Sequence, residues 1–244
     1  MPVLATLDDL RRHLGLRADE TADDDRLLAV LEAASAELER ECGRRFEPRL
    51  AVIVHEVDEA SDTLTLADDL LTVTALTDAG GAIPLETVTR IPADGPAALL
   101  RLADGLYFMA GTVTVTGWWG WHDDPAALWT ASGQTVQDDP LQAASDQVNV
   151  ADVTPFSPGQ LLRIEDEVLR VTAVAPAPGP LYVLRGQCGS EAISHVQGTA
   201  IEEWSAPPDV RDLVLRRAAW LARRAEPLPD ALRAPARRWR RERV

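Results

Sequence analysis

The 244-residue chain contains no lysine, one asparagine (Asn149) and two cysteines, Cys42 and Cys188. All 24 basic residues are therefore arginine, so arginine abundance alone carries no signal. Two distant cysteines cannot form a disulfide framework. Cys42 falls on the apolar stripe of an expected helix, where a thiol serves as a small buried hydrophobe. No apolar run reaches the ~20 residues that span a bilayer, and no basic stretch precedes an apolar one at the N-terminus. The sequence thus reads as a protein assembled in the cytoplasm, without a membrane partner.

Signatures of chemistry are equally scarce. His13, His55, His122 and His195 never stand at ligand spacing with cysteine or with one another. His122-Asp123-Asp124 reads as a solvated turn rather than a cation site. Asp19–Asp25 lacks the central glycine and terminal glutamate of a calcium loop. Gly80-Gly81 has no following helix and lysine to hold a phosphate. Gly186-Gln-Cys-Gly-Ser190 matches part of the pattern around a papain-type cysteine, but Glu191 occupies the nucleophile's position. It also lies between short strands instead of before a helix that would lower a thiol pKa. No catalytic residue, metal or cofactor is assigned.

Apolar residues at 46% suffice for a buried core, and the length allows one large domain or two small ones. Charge is unevenly spread. From Arg211 onward eleven arginines face Asp212, Glu226, Asp230 and Glu242, a local net of +7, which leaves −22 for the rest of a chain of net −15. An acidic body repels nucleic acid at long range, whereas a basic tail engages phosphates or an acidic protein surface.

Apolar periodicity orders the elements. Thr6, with Asp9 three positions on, forms a capping box before a helix over Leu7–Leu14 that Gly15 ends. Asp23-Asp-Asp25 opens a longer helix whose Leu27, Leu31, Ala34, Leu38 and Cys42 share one face, and Gly43 ends it. The period then falls to two, predicting strands at Ala51–Val57, Thr63–Leu66, Leu71–Leu76, Ile83–Ile91, Ala98–Leu102 and Thr112–Thr116, with one sheet face wet or against a partner. Asp123–Val153 reads as a loose linker. Four short strands follow, at Gly159–Ile164, Glu167–Val174, Leu181–Arg185 and Gly198–Trp204, as a small barrel or meander whose glycines set turns and whose His195 bonds within one. Pro207 and Pro208 start a last helix, lined by Val210, Leu213, Val214, Arg217 and Leu221, that runs to Glu226. Asp230–Val244, dense in arginine, is a short helix or a disordered arm.

Two clusters are candidate interaction sites. Trp118, Trp119 and Trp121 read as a core cluster or a subunit interface; they cannot all face one core, because neighbours on a strand point oppositely, so at least one meets the C-terminal helix, the inserted module or a neighbouring subunit. The arginine tail (Arg233, Arg237, Arg238, Arg240, Arg241 and Arg243, with Trp239) contacts DNA nonspecifically, docks on an acidic partner or is solvated.

The Leu4-Ala-Thr-Leu-Asp-Asp-Leu-Arg-Arg-His-Leu-Gly15 helix, the stretch Leu27–Phe46 with its Ala34–Phe46 ending, Val113-Thr-Val-Thr-Gly-Trp-Trp-Gly120 and Pro207-Pro-Asp-Val-Arg211 together resemble the head–tail connector (adaptor) proteins of tailed bacteriophages. Members pass from the Gly-aromatic-Gly strand almost directly into Pro-Pro-x-Val, whereas here Asp123–Ser205 intervenes. The segment from Pro158 to Ala200 is similar to a small β module of phage structural proteins. The resemblance implies an α+β fold, with an N-terminal α-hairpin and C-terminal helix packed with an antiparallel β-sheet, plus an inserted small all-β domain. The expected parts are a core over 1–122, a linker and β domain over 123–204, a closing helix over 205–228 and a basic arm over 229–244. It implies a non-enzymatic ring of twelve subunits in the virion neck, between the portal protein and a stopper or tail-completion protein, with double-stranded DNA passing through. Arg216, Arg217, Arg223 and Arg224 would join the arm, Arg233 to Arg241, in portal or subunit contacts. A tail-completion or baseplate protein working through the β module, and a hydrolase with a dispersed site, are the alternatives.

Overall fold

Helix formation follows the local signals. The computed structural model describes residues 3–17, 20–223 and 227–241. Helix α1 spans Leu7–Leu14 and α2 spans Asp24–Cys42. Both halves of the capping box form: Thr6 Oγ1 accepts from the Asp9 amide at 3.1 Å, and Asp9 Oδ2 from the Thr6 amide at 3.4 Å. The expected stripe of α2, Leu27 to Cys42, is buried throughout. Helix α3, Pro208–Arg223, buries Val210, Leu213, Val214 and Arg217. Its expected continuation to Glu226, and Arg224 with it, lie outside the described residues, as does Arg243.

The contacts divide the chain into two compact units, Met1–Gly43 with Ala127–Val244, and Arg44–Ala126. This differs from the expected grouping, in which the hairpin and α3 close one core with the first sheet. The helices instead share their unit with the later strands. Ser157 Oγ accepts from the Asp8 amide at 3.4 Å, and a side chain at Gly159 would press on Val3 and Leu28. The hairpin thus packs on α3 and also touches the segment that sequence set apart as an insert.

The unit Arg44–Ala126 is an antiparallel sheet of β1 (Arg49–Val57), β2 (Thr63–Asp78), β3 (Gly81–Ala82), β4 (Val88–Ile91), β5 (Ala97–Leu102) and β6 (Gly111–Trp119). The order is β1-β6-β2-β5-β4, with β3 on β2. Sequence predicts a break where Asp68 and Asp69 interrupt β2, yet the strand continues. Arg49 holds Asp68 at 2.9 Å and Arg44 holds Asp69 at 2.7 Å, so the two carboxylates are compensated and the strand runs on, with its register against β5 shifted between Thr65 and Leu70. Leu64, Leu70, Leu100, Phe108, Val113, Val115 and Trp119 fill the core. At Gly117 a Cβ would lie 2.2 Å from the Thr72 carbonyl oxygen. Gly117→Ala is therefore expected to lower stability by about 1–3 kcal/mol, read as a shifted denaturant midpoint; an unchanged midpoint would show that β2 yields.

In the other unit, β7 (Trp129–Thr135), β8 (Gln147–Val148), β9 (Leu161–Ile164), β10 (Glu167–Val174), β11 (Leu181–Leu184) and β12 (Ala200–Trp204) pair in the order β7-β12-β9-β10-β11-β8. The residues after β7 bond to both sides. Val136 donates to the Thr199 carbonyl at 2.9 Å and Gln137 to the Asn149 carbonyl at 2.9 Å, which draws the two sheet edges together into a small barrel. Segment 123–153 is thus no loose linker: it supplies two strands and the closing bonds. Val136, Phe156, Ile164, Leu169 and Leu181 are among the residues of the barrel core. No helix of the described residues is long and apolar enough to cross a membrane.

Candidate functional site

Arg217 anchors the arginine-rich end of the chain. It stands on the apolar stripe of α3 and is fully buried. Its Nε donates to the Leu232 carbonyl at 2.9 Å and its Nη2 to Glu41 Oε2 at 2.8 Å, which ties α3, α2 and the C-terminal segment together. It is an internal tie and cannot be the exposed partner contact expected of it. The segment beyond α3 forms α4 (Asp230–Arg233) and a 3-10 turn over Ala234–Trp239. Ala236 and Trp239 are buried, Cys42 Sγ donates to the Ala236 carbonyl at 3.5 Å, and the Arg241 amide donates to the Cys42 carbonyl at 2.9 Å. Over its described residues the arm is a packed element.

Packing of Trp239 turns the arginines around it outward. Arg216, Arg223, Arg233, Arg237, Arg238 and Arg240 are exposed, and Arg241 is half-buried. Arg238 lies 4.0 Å over the Trp239 ring and pairs with Asp209; Arg216 pairs with Asp212 one helical turn back. Arg223, Arg233 and Arg237 make no ion pair among the described residues. The result is a surface of guanidinium groups on a rigid base, suited to carboxylates.

The three clustered tryptophans separate as strand alternation demands. Trp119 is fully buried, donates from Nε1 to the Ala51 carbonyl at 3.0 Å and stacks on His55. It is a core residue, which removes it from the expected subunit interface. Trp121 meets Phe46 edge-on at 5.7 Å with Arg44 over its ring. Trp118, half-buried on the opposite face from Trp119, sits between Leu50 of β1 and Thr72 of β2. That face also exposes Val52 and Val54.

The densest buried charge lies in the barrel, where sequence marked only His195. Glu167 is fully buried. It accepts from Arg185 Nε and Nη2, both at 2.6 Å, from the Gly186 and Ile193 amides at 3.1 Å, and faces His195 Nε2 at 2.8 Å. Nδ1 of the same ring lies 2.8 Å from Glu165. Burial alone would raise the Glu167 carboxyl; the bonds from Arg185, His195 and the two amides outweigh it and hold the group below its ordinary value. With its acceptor sites filled, Glu167 has no capacity left for a substrate proton. The cluster clamps the Arg185–His195 loop. Gly186 turns there at φ 59°, where a Cβ would crowd the Ala192 nitrogen and the Ser190 carbonyl oxygen at 3.2 Å. Among the described residues, no group of three or more histidines, cysteines and acidic residues is placed to hold a metal ion.

Residues 4–75 match the family model described as phage gp6-like head-tail connector protein. The matched stretch holds α1, α2, β1 and most of β2, under a third of the chain, and the family is the one that the N-terminal motifs resemble. Two solved structures align over 99% of this chain and 91% of theirs, each at 18% identity and a TM-score of 0.37. They are described as the neck of an empty gene transfer agent particle computed with C6 symmetry and the virion of a native gene transfer agent particle. No curated protein matches the chain.

Proposed function

We propose that this chain is a structural protein of a virion neck, where copies form a ring, twelve in number, that joins the portal to a stopper or tail and continues the DNA channel. The connector family match over residues 4–75 carries the reading. A ring of identical copies needs two different, complementary surfaces on each copy, and closure removes the free ends. The acidic body suits a passage that lets DNA slide, since carboxylates repel phosphates and leave counterions in place. The exposed arginines of the C-terminal segment suit an acidic face of the portal.

Truncation is a poor test of that docking role, because it removes Trp239 and the Leu232 carbonyl that Arg217 needs. Replacing Arg233, Arg237 and Arg240 by glutamate keeps the packing and reverses the charge. The triple variant is expected to bind purified portal at least ~10-fold more weakly, with unchanged thermal unfolding; equal binding would remove the segment from the interface. Labelled chain found away from the neck in particle images would end the neck reading. One observation favours a tail-completion or baseplate role instead: the barrel exposes Leu184, Ile193 and Val196 on the clamped loop and beside it, a rim fit for a further protein. Label at the distal tail would support it.

A further inference from the structure

We infer that the loop at the far end of the first sheet is a self-association site, whose Leu106, Tyr107 and Met109 take the Arg216–Trp220–Arg223 stripe of α3 from a second copy of this chain. The inference rests on the reading that copies assemble with one another, and names the surfaces that do it.

The loop between β5 and β6 is built to present apolar groups. Phe108 is fully buried and its backbone pairs both ways with Ser61, at 2.8 and 3.3 Å. The Met109 amide donates to Asp78 Oδ2 at 2.8 Å, and the Ala103 amide to the Thr87 carbonyl at 2.9 Å. Around this anchor Leu106, Tyr107 and Met109 are 42%, 58% and 51% exposed. Three large apolar side chains exposed within four positions form the densest such run among the described residues. A rigid backbone holds them out, so little ordering entropy is lost on binding.

The collar of the loop is acidic. Val57 pairs with Gly111 at this end of the sheet, which brings the exposed Glu56, Asp58 and Glu59 beside it. Asp62 and Asp104, also exposed, flank the Ser61–Phe108 bridge. The unit as a whole carries 13 carboxylates and 5 arginines, and Arg44 and Arg49 are already committed to Asp69 and Asp68. An apolar centre within carboxylates selects a partner that is apolar and basic.

This chain carries such a surface on its other unit. Arg216, Trp220 and Arg223 stand at i, i+4 and i+7 of α3, on one face, with Trp220 half-buried and both arginines exposed. Guanidinium groups pair with carboxylates and lie flat on a tyrosine ring, while the indole meets the methionine sulfur and the leucine. Trp, Tyr, Met and Arg are the residues that concentrate at the centre of protein interfaces. Two copies of net charge −15 repel, so a contact between them must bring the one basic region to an acidic one. Loop and stripe are different surfaces, so the contact is head-to-tail and repeats from copy to copy.

The test is sedimentation velocity of the purified chain across ~1–200 μM, with no other protein present. The wild type is expected to associate with rising concentration, and roughly tenfold less at 0.5 M salt. Tyr107→Ser with Met109→Ser, and separately Arg216→Glu with Arg223→Glu, should each weaken association tenfold or more. All four side chains are exposed, so the unfolding midpoint should hold. Asp62→Arg with Asp104→Arg should also weaken it, and adding those two changes to the Arg216→Glu, Arg223→Glu chain should restore association. A monomer at every concentration, loop variants that associate like the wild type, or no recovery on charge exchange would each overturn the inference. Portal binding by the same purified chain would survive those outcomes, and so separates failure of this contact from failure of the neck reading.

Discussion

Glu167→Ala is expected to destabilise the barrel-bearing unit by about 3–5 kcal/mol, because it strands the guanidinium of Arg185 in a place where the side chain is only 8% exposed. The loss would appear as a lower denaturant midpoint, with protease cutting first between Arg185 and His195. That loop owes its shape to bonds that converge on one carboxylate, so removing it frees the Gly186 and Ile193 amides together. A reduction under about 1 kcal/mol would mean that water replaces the carboxylate at little loss. Acid gives an independent check. A carboxyl held below its ordinary value contributes stability that is complete above that value, and the contribution vanishes as pH falls through the lowered one. The gap in stability between wild type and variant should therefore be widest near neutrality and narrow below pH ~4.

Arg217→Ala should lose about 3 kcal/mol or more, since the side chain is both a buried charge and a packed stem. The readout is chemical denaturation, with faster proteolysis of residues 227–241 as the C-terminal segment leaves α2. Glu41 then stands without its main partner, so Arg217→Met with Glu41→Gln should recover most of the loss by exchanging the ion pair for apolar packing. If the double variant is no better than Arg217→Ala, the bond to Leu232 rather than the pairing with Glu41 is the tie that matters. Because Arg233, Arg237 and Arg238 ride on this segment, a loosened segment would also blur the surface offered to a partner.

What the sequence revealed follows from how local each feature is. The hairpin was legible to the residue, because capping by Thr6 and Asp9 and the stripe from Leu27 to Cys42 are decided within one or two turns. Part of the resemblance to the connector family rests on the same stretch, which is also where the family model matches. Strand β7 was not legible: Trp129–Thr135 has few apolar residues and depends on β12, some seventy positions later. The companions of the helices were hidden for the same reason, since nothing local says whether Leu10 and Leu31 share a unit with the first sheet or with the later strands. Alternation required that Trp118 and Trp119 part company but not which one went inward. Arg217 held a readable clue that charge obscured: its spacing from Val210, Leu213 and Val214 places it on the buried stripe. Nothing local marks the loop at Leu106–Met109, as its exposure depends on Phe108 alone turning inward.

The first sheet also determines how this chain would carry tension. The chain enters that unit at β1 and leaves it at β6, and these strands lie side by side in nine consecutive pairs from Arg49 with Trp119 to Val57 with Gly111. Trp121 is fastened back to Arg45 by a 2.7 Å backbone bond, so both leads emerge at the same end of the unit, opposite the Leu106–Met109 loop. A pull on the loop would run lengthwise down two neighbouring strands at once. No rung of that ladder is then peeled singly, so the unit would behave as a strap under load rather than as a zip.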